Sequence, residues 1–204
     1  MKDMWNERYS ATEYAYGVAP NAFFAKSIKK YQPRGKILLP CEGEGRNAVF
    51  AAKTGLEVSA FDLSEEGKKK AFALAKVENV SLHYEVGNFL DAQLEENTFD
   101  IAALIFAHFP NDILHRCHRK VANALKSGGI IIIEGFHAEH QHYQNQSPDV
   151  GGPKDTSMLF TRAHLHRDFS DFSTLHLDVR EVNLSEGQYH NGLSKVLRYI
   201  GQKN

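Results

Sequence analysis

Five apolar runs of strand length, separated by segments with helical spacing, constrain this chain more than any other feature. GKILLP, LEVSAFD, VSLHYEV, FDIAALIF and IIIIEGF recur between residues 35 and 136. Strands that are apolar throughout are buried on both faces, as in a parallel sheet covered by helices on each side. The segments between them carry helix signals. Residues 46–54 run into Gly55, a helix stop. Ser64 is a good N-cap, and Glu65 and Glu66 suit the positive first turn of the helix that follows. From Pro110 to Leu125, Ile113, Cys117, Val121 and Ala124 fall on one helical face, and the Ser-Gly-Gly that follows is expected to end the helix. Upstream, NAFFAKSIKKY predicts a first helix behind an aromatic N-terminal arm.

The pattern changes after Phe136. A polar loop over residues 137–157 precedes a short helix at 161–169. Two strands, 173–183 and 193–200, are joined by LSEGQYHNG, a segment rich in turn formers, and should pair as an antiparallel hairpin. The prediction is an α/β fold: a Rossmann-like three-layer sandwich with a mostly parallel seven-stranded sheet, closed by an antiparallel C-terminal β-hairpin. A chain of 204 residues suits one domain over 1–204. Within it, residues 1–31 form the arm and first helix, 137–170 a variable loop and helix, and 171–204 the hairpin.

Charge and composition exclude several classes. A net charge of −1 gives no broad attraction to nucleic acid. The apolar runs are too short to span a bilayer, so no membrane partner is expected. MKDMWNERYS lacks the apolar core of a secretory signal. Cys41 and Cys117 make no disulfide framework and suit a reducing cytosol, so the expected location is cytoplasmic.

In an open α/β sheet, ligands bind at the carboxyl ends of the strands. Gly43, Gly45 and Ala48 spell G-x-G-x-x-A after the first strand, a turn that brings backbone close to a ligand and aims a helix N-terminus at it. Asp62 ends the second strand, where a carboxylate can accept from both hydroxyls of a ribose. Asn88 follows the third strand, with Phe89 beside it to pack on a base. FAHFP ends the fourth. Asp100 lies at the opposite end of that strand and reads as structural. HAEHQHY (His137, His140, His142) and HLH (His164, His166) have chelate-like spacings, yet no cysteine pair or H-E-x-x-H accompanies them, and no metal is expected.

Together these residues resemble class I S-adenosylmethionine-dependent methyltransferases, carried by GEGRNAVFAA, FDLS, GNFLD, FDIAALIFAHFP and LKSGGIIIIEGF. WNERYSATEYAYGVAPNAFF, GGP and EGQYHNGLSKV further resemble the bacterial tellurite-resistance and thiopurine-methyltransferase-like branch. The resemblance implies S-adenosylmethionine as cofactor and S-adenosylhomocysteine as product. Gly43 and Gly45 would lie along the methionine and ribose, with Asp62 on the ribose and Leu63 next to it. Asn88 would meet the adenine amino group, beside Phe89. Ala107 would offer a carbonyl to the methionine ammonium. Where the family has an acidic residue and a first glycine, this chain has Leu39 and Cys41, and Pro40 is atypical. Glu42 and Glu44 are the candidates for the missing carboxylate.

Methyl transfer suits a chain with no Ser-His-Asp or metal signature. The sulfonium is itself the leaving group, so the protein must align, desolvate and hold. An alcohol or amine acceptor would need a base; a thiolate or oxyanion would not. His108, Tyr16 and His190 are the catalytic candidates, with His137, Tyr143 and Arg162 behind them. Trp5, Tyr9, Tyr14 and Tyr16 crowd the arm, which is expected to fold over the cofactor with Tyr16 and Gly17 in contact. DVGGPKDTSMLF reads as a lid over a small-molecule acceptor, which the family resemblance extends to thiol, tellurite or selenite. Two rivals remain: an NAD(P)-dependent oxidoreductase using G-x-G-x-x-A, and a non-catalytic S-adenosylmethionine-binding regulatory domain. Oligomeric state is not legible.

Overall fold

Successive side chains of the first strand, β1 (Lys36–Pro40), serve two different cores. Leu38 packs with Leu104, Val121 and Ile131 on one face of the sheet. Ile37 and Leu39 pack with Phe24, Ile28, Ala48 and Ala51 on the other. That two-sided burial is why the strand is apolar without alternation. Removing each such side chain from water contributes roughly 1.5–3 kcal/mol. The structure, a computed structural model, describes residues 1–147 and 150–204.

The further strands are β2 (Glu57–Asp62), β3 (His83–Val86), β4 (Phe99–Ile105), β5 (Leu125–Phe136), β6 (Phe172–Glu186) and β7 (His190–Lys203). They form one seven-stranded sheet in the order β3-β2-β1-β4-β5-β7-β6. All neighbours are parallel except β7, which runs antiparallel to both β5 and β6. The order reverses at β1, whose partners are β2 and β4, and a cleft opens there at the strands' carboxyl ends.

The helices are α1 (Lys2–Tyr9), α2 (Ala22–Tyr31), α3 (Arg46–Lys53), α4 (Glu65–Val77), α5 (Asn111–Ala124), α6 (Gln141–Gln146) and α7 (Arg162–Asp168). α2 and α3 cover one face, and α5 and α7 the other. Ser64 caps α4 as expected from sequence, accepting from the Gly67 amide, and Asn21 caps α2 in the same way, accepting from the Phe24 amide. Asp100 is structural, accepting from the Lys36 amide and Lys126.

Three expectations need correction. The arm begins as a helix, α1, because Trp5 stacks on the buried Tyr9 and Asn6 bonds to Ser64. The Ser-Gly-Gly segment does not end a helix but lies within β5. The hairpin is longer than its turn formers suggested. Ser185 pairs with Asn191 and Glu186 with His190, so only residues 187–189 turn. Of the expected polar loop over residues 137–157, Pro148 and Asp149, the latter the first residue of the expected lid, lie outside the described residues. The rest forms short turns at Ala138–His140 and Thr156–Met158 around α6.

Candidate active site

The turn after β1 is held by residues of β2 and β3. The Glu42 amide donates to the Phe61 carbonyl, and the Gly43 amide to Asp62 Oδ2 at 3.0 Å. Tyr84, on β3, donates its hydroxyl to the Gly43 carbonyl. Gly45 caps α3 at φ +87°, and a Cβ there would sit 2.5 Å from the Ala71 Cβ. The third glycine-type position is Ala48, buried at the α3–sheet contact.

Asp62 accepts from the Ser64 amide at 2.9 Å as well as from Gly43. Burial pushes its carboxyl up to about 6 against those amides. Glu42 does not reach outward. Its Oε1 accepts from the Ala48 amide at 2.7 Å, capping α3, and burial raises it to about 7. Glu44 takes the Ala15 amide and Lys70, both at 2.8 Å, which pins the arm to α4. Leu39 is core.

Two small cavities meet at Tyr9 and Cys41. The larger, about 120 Å³, is bordered by Trp5, Asp62, Leu63, Asn88, Phe89 and His108. The smaller, about 60 Å³, is bordered by Tyr16, Gly17, Glu42, Arg46, Phe106 and His190. Cys41, at φ +57°, is enclosed by protein atoms yet open to the cavity space. Burial and the nearby Asp62 push its thiol well up. Tyr9 is buried at 4% exposure and stands over Gly43. A third, outer cavity of about 560 Å³ lies among Arg8, Tyr16, Gln144, Gly152, Lys154 and Tyr189.

The structure therefore brings Glu42, Gly43, Asp62, Leu63, Asn88 and Phe89 to the cleft. It does not bring Ala107, which is core at 1% exposure; the chain turns at Phe106 (φ +53°), and that ring forms the wall instead. Asn88 accepts from the Leu90 amide and donates to Asp91, so its amide is a turn cap as well as a cavity border.

His108 reaches the cleft but is not a free base. Its Nδ1 lies 2.8 Å from the Met158 carbonyl, and its Nε2 accepts from the Phe136 amide at 3.1 Å. Burial pushes it down to about 4. The ring ties β5 to the loop before α7, a positioning task that corrects the catalytic expectation. Of the remaining candidates, His137 accepts from the Glu139 amide, Tyr143 donates to Glu181, and Arg162 meets the Leu177 carbonyl. None of these three borders the cleft.

His190 and Tyr16 are brought together, their ring centroids 4.5 Å apart. Tyr16 accepts from Arg8 at 2.9 Å. Sequence reasoning named Tyr9 only among the aromatics of the arm and missed Arg46, Phe106 and Glu186. Glu186 and His190 oppose each other across a three-residue turn that no local sequence signal marked. Among the described residues no three His, Cys, Asp or Glu side chains converge as a metal site. His140 instead bonds the Gly151 carbonyl and the Lys195 amide.

A seven-stranded sheet of this order, with a reversed last strand and a cleft at its switch point, is the Rossmann-like methyltransferase fold. Residues 37–129 match a family model described as a methyltransferase domain. No protein of curated function matches the sequence. Solved structures resemble the whole chain. One comes from work on the conversion of a disulfide bond into a thioacetal group during echinomycin biosynthesis. It has TM-score 0.79 and 17% identity, with 100% of this chain and 93% of that chain covered. TehB from Haemophilus influenzae has TM-score 0.72 and 18% identity, covering 100% and 67%. Geranyl diphosphate C-methyltransferase from Streptomyces coelicolor, solved with Mg2+, geranyl diphosphate and S-adenosylhomocysteine, has TM-score 0.64 and 12% identity, covering 100% and 97%. At these identities the likeness establishes the fold.

Proposed function

We propose that the protein transfers a methyl group from S-adenosylmethionine to a small-molecule acceptor. The observation that carries this is Asp62. Its carboxylate is buried at the end of β2, anchored by the Gly43 and Ser64 amides, and borders a cavity shared with Leu63, Asn88 and Phe89. A carboxylate so anchored keeps lone pairs for two ribose hydroxyls. The residues fit the cofactor: a polar acceptor and an aromatic floor for a nucleoside on one side of Tyr9, and aromatic faces for a sulfonium on the other. Asp62, Leu63, Asn88 and Phe89 would hold the nucleoside, and Gly17, Gly43 and Tyr9 the amino-acid portion. When bound, the cofactor supplies an activated methyl with its own leaving group.

The chain's residues do the rest. α1 and the Trp5–Tyr9 stack exclude water from above the glycine turn. Tyr16, Phe106 and His190 wall the reacting end. His190 accepts a proton when the acceptor carries one; a thiolate or oxyanion needs no such transfer. The outer cavity, bordered by Arg8 and Lys154, takes the acceptor. We assign it a soft nucleophile, in keeping with the tellurite-resistance-like sequence features. The echinomycin-pathway neighbour, at work where a disulfide becomes a thioacetal, supports sulfur chemistry on this fold. Two free cysteines and a near-neutral chain accord with a reducing cytoplasm and a small partner rather than nucleic acid. No helix among the described residues is long and apolar enough to cross a membrane.

The test is incubation with S-adenosylmethionine and, in turn, small thiols, tellurite and selenite, with S-adenosylhomocysteine measured by mass spectrometry. Acceptor-dependent product is expected with at least one of them. Tight cofactor binding with no product from any acceptor would favour a non-catalytic domain.

A further inference from the structure

The residue that most needs a role is Glu186. Its side chain is 12% exposed beside the cleft, and donors from three elements converge on it. Arg46, on α3, donates to Oε2 at 2.7 Å. Asn21, the cap of α2, donates to Oε1 at 3.0 Å, and His190 Nδ1 lies 3.3 Å from Oε2. Glu186 and His190 are directly opposed in the hairpin register, so both side chains stand on one face. An ion pair with Arg46 alone would be satisfied without His190. Moreover, Arg46 also holds the Tyr16 carbonyl at 3.2 Å, and the Tyr16 ring packs on His190.

Resting on the methyl-transfer reading of the cleft, we infer that Glu186 is the positioning residue for His190: it accepts a hydrogen bond from Nδ1–H, which keeps the proton on Nδ1 and leaves Nε2 as the ring's proton acceptor. Burial alone would raise the Glu186 carboxyl, but His190 and Arg46 hold it at about 2. An ionised carboxylate only accepts, so Nδ1 must donate. Nε2 has no hydrogen-bond partner among the described residues. The ring is fixed by Phe106 at 4.3 Å and by Phe136 at 5.1 Å, edge-on. Burial holds it below the usual histidine range. Glu186 opposes that shift, while Arg46, Arg8, His108 and His140 face the ring without supplying negative charge. At neutral pH the ring is therefore uncharged, as an acceptor of protons must be.

The experiment is 15N NMR of histidine-labelled protein over a pH titration, with the His190 signals assigned by His190→Asn. In the wild type His190 is expected as the Nδ1–H tautomer. Glu186→Ala should move it to mainly Nε2–H. Glu186→Gln keeps an accepting oxygen but loses the charge. It should retain Nδ1–H while His190 titrates at lower pH, and it carries the test should the alanine variant fail to fold. Calorimetry of the wild type with S-adenosylmethionine runs beside it. An Nε2–H ring in the wild type, or a tautomer and titration untouched by both substitutions, would overturn the inference. Failure of the wild type to bind S-adenosylmethionine would instead sink the function reading, with the ring state still reporting on the pair.

Discussion

Asp62 is pulled two ways: burial favours its proton, and its backbone donors favour its charge, as the ribose of a bound cofactor would. Because its pKa is raised to about 6, the native state holds a proton that the unfolded chain would already have released. Its ionisation thus opposes folding above about pH 6, and that opposition fades as the pH falls towards the ordinary carboxyl range. Binding has the opposite sign, since only the ionised form accepts from both hydroxyls. Cofactor affinity should weaken about tenfold from pH 7 to pH 5 by calorimetry, and Asp62→Asn should flatten that slope. Gly45 is a second residue with a sharp expectation. An alanine there meets Ala71 at 2.5 Å in a left-handed backbone. Gly45→Ala should cost about 1–3 kcal/mol, read as a lower urea midpoint. His108→Phe should likewise destabilise by about 1–3 kcal/mol, because it strands the Met158 carbonyl and the Phe136 amide.

At the scale of elements, the N-terminal arm and the hairpin turn are tied together beside the site. The Gln188 amide donates to the Ala15 carbonyl, and Glu44 receives the Ala15 amide from the other side. Removing residues 1–20 takes away Trp5, Tyr9, Tyr16 and Gly17 at once. Affinity for S-adenosylmethionine should fall about tenfold or more, while the sheet stays folded by circular dichroism. Unchanged affinity would show that the arm only packs. The strands and helices of residues 36–124 were legible because their signals are local: continuous apolar runs, caps and stops. The length of the hairpin was not, because Gly187, Asn191 and Gly192 all read as loop formers, whereas Asn191 and Gly192 pair with Ser185 and Leu184 in the ladder and leave only three residues to turn. The Ser-Gly-Gly stretch misled because it sits inside a strand as an irregularity: the register with β4 jumps from Leu125 to Ile130, and Gly128 takes a left-handed backbone between them.

Across the whole molecule, the parts of the site nearest the switch point could be read in advance, and the parts that close it could not. Gly43, Asp62 and Phe89 follow from where strands end. Arg46, Glu186 and Asn21 meet across sequence separations no local pattern encodes, and Ala107 was displaced by the turn at Phe106. Near-neutral charge leaves binding to be decided inside the cleft rather than by long-range attraction. The most direct test is therefore a calorimetric titration of wild type and Asp62→Ala with S-adenosylmethionine and S-adenosylhomocysteine, with NAD and NADP alongside. The account predicts that the sulfur ligands bind the wild type, that Asp62→Ala abolishes this, and that the nicotinamide nucleotides give no heat. Binding of NAD or NADP alone would contradict it.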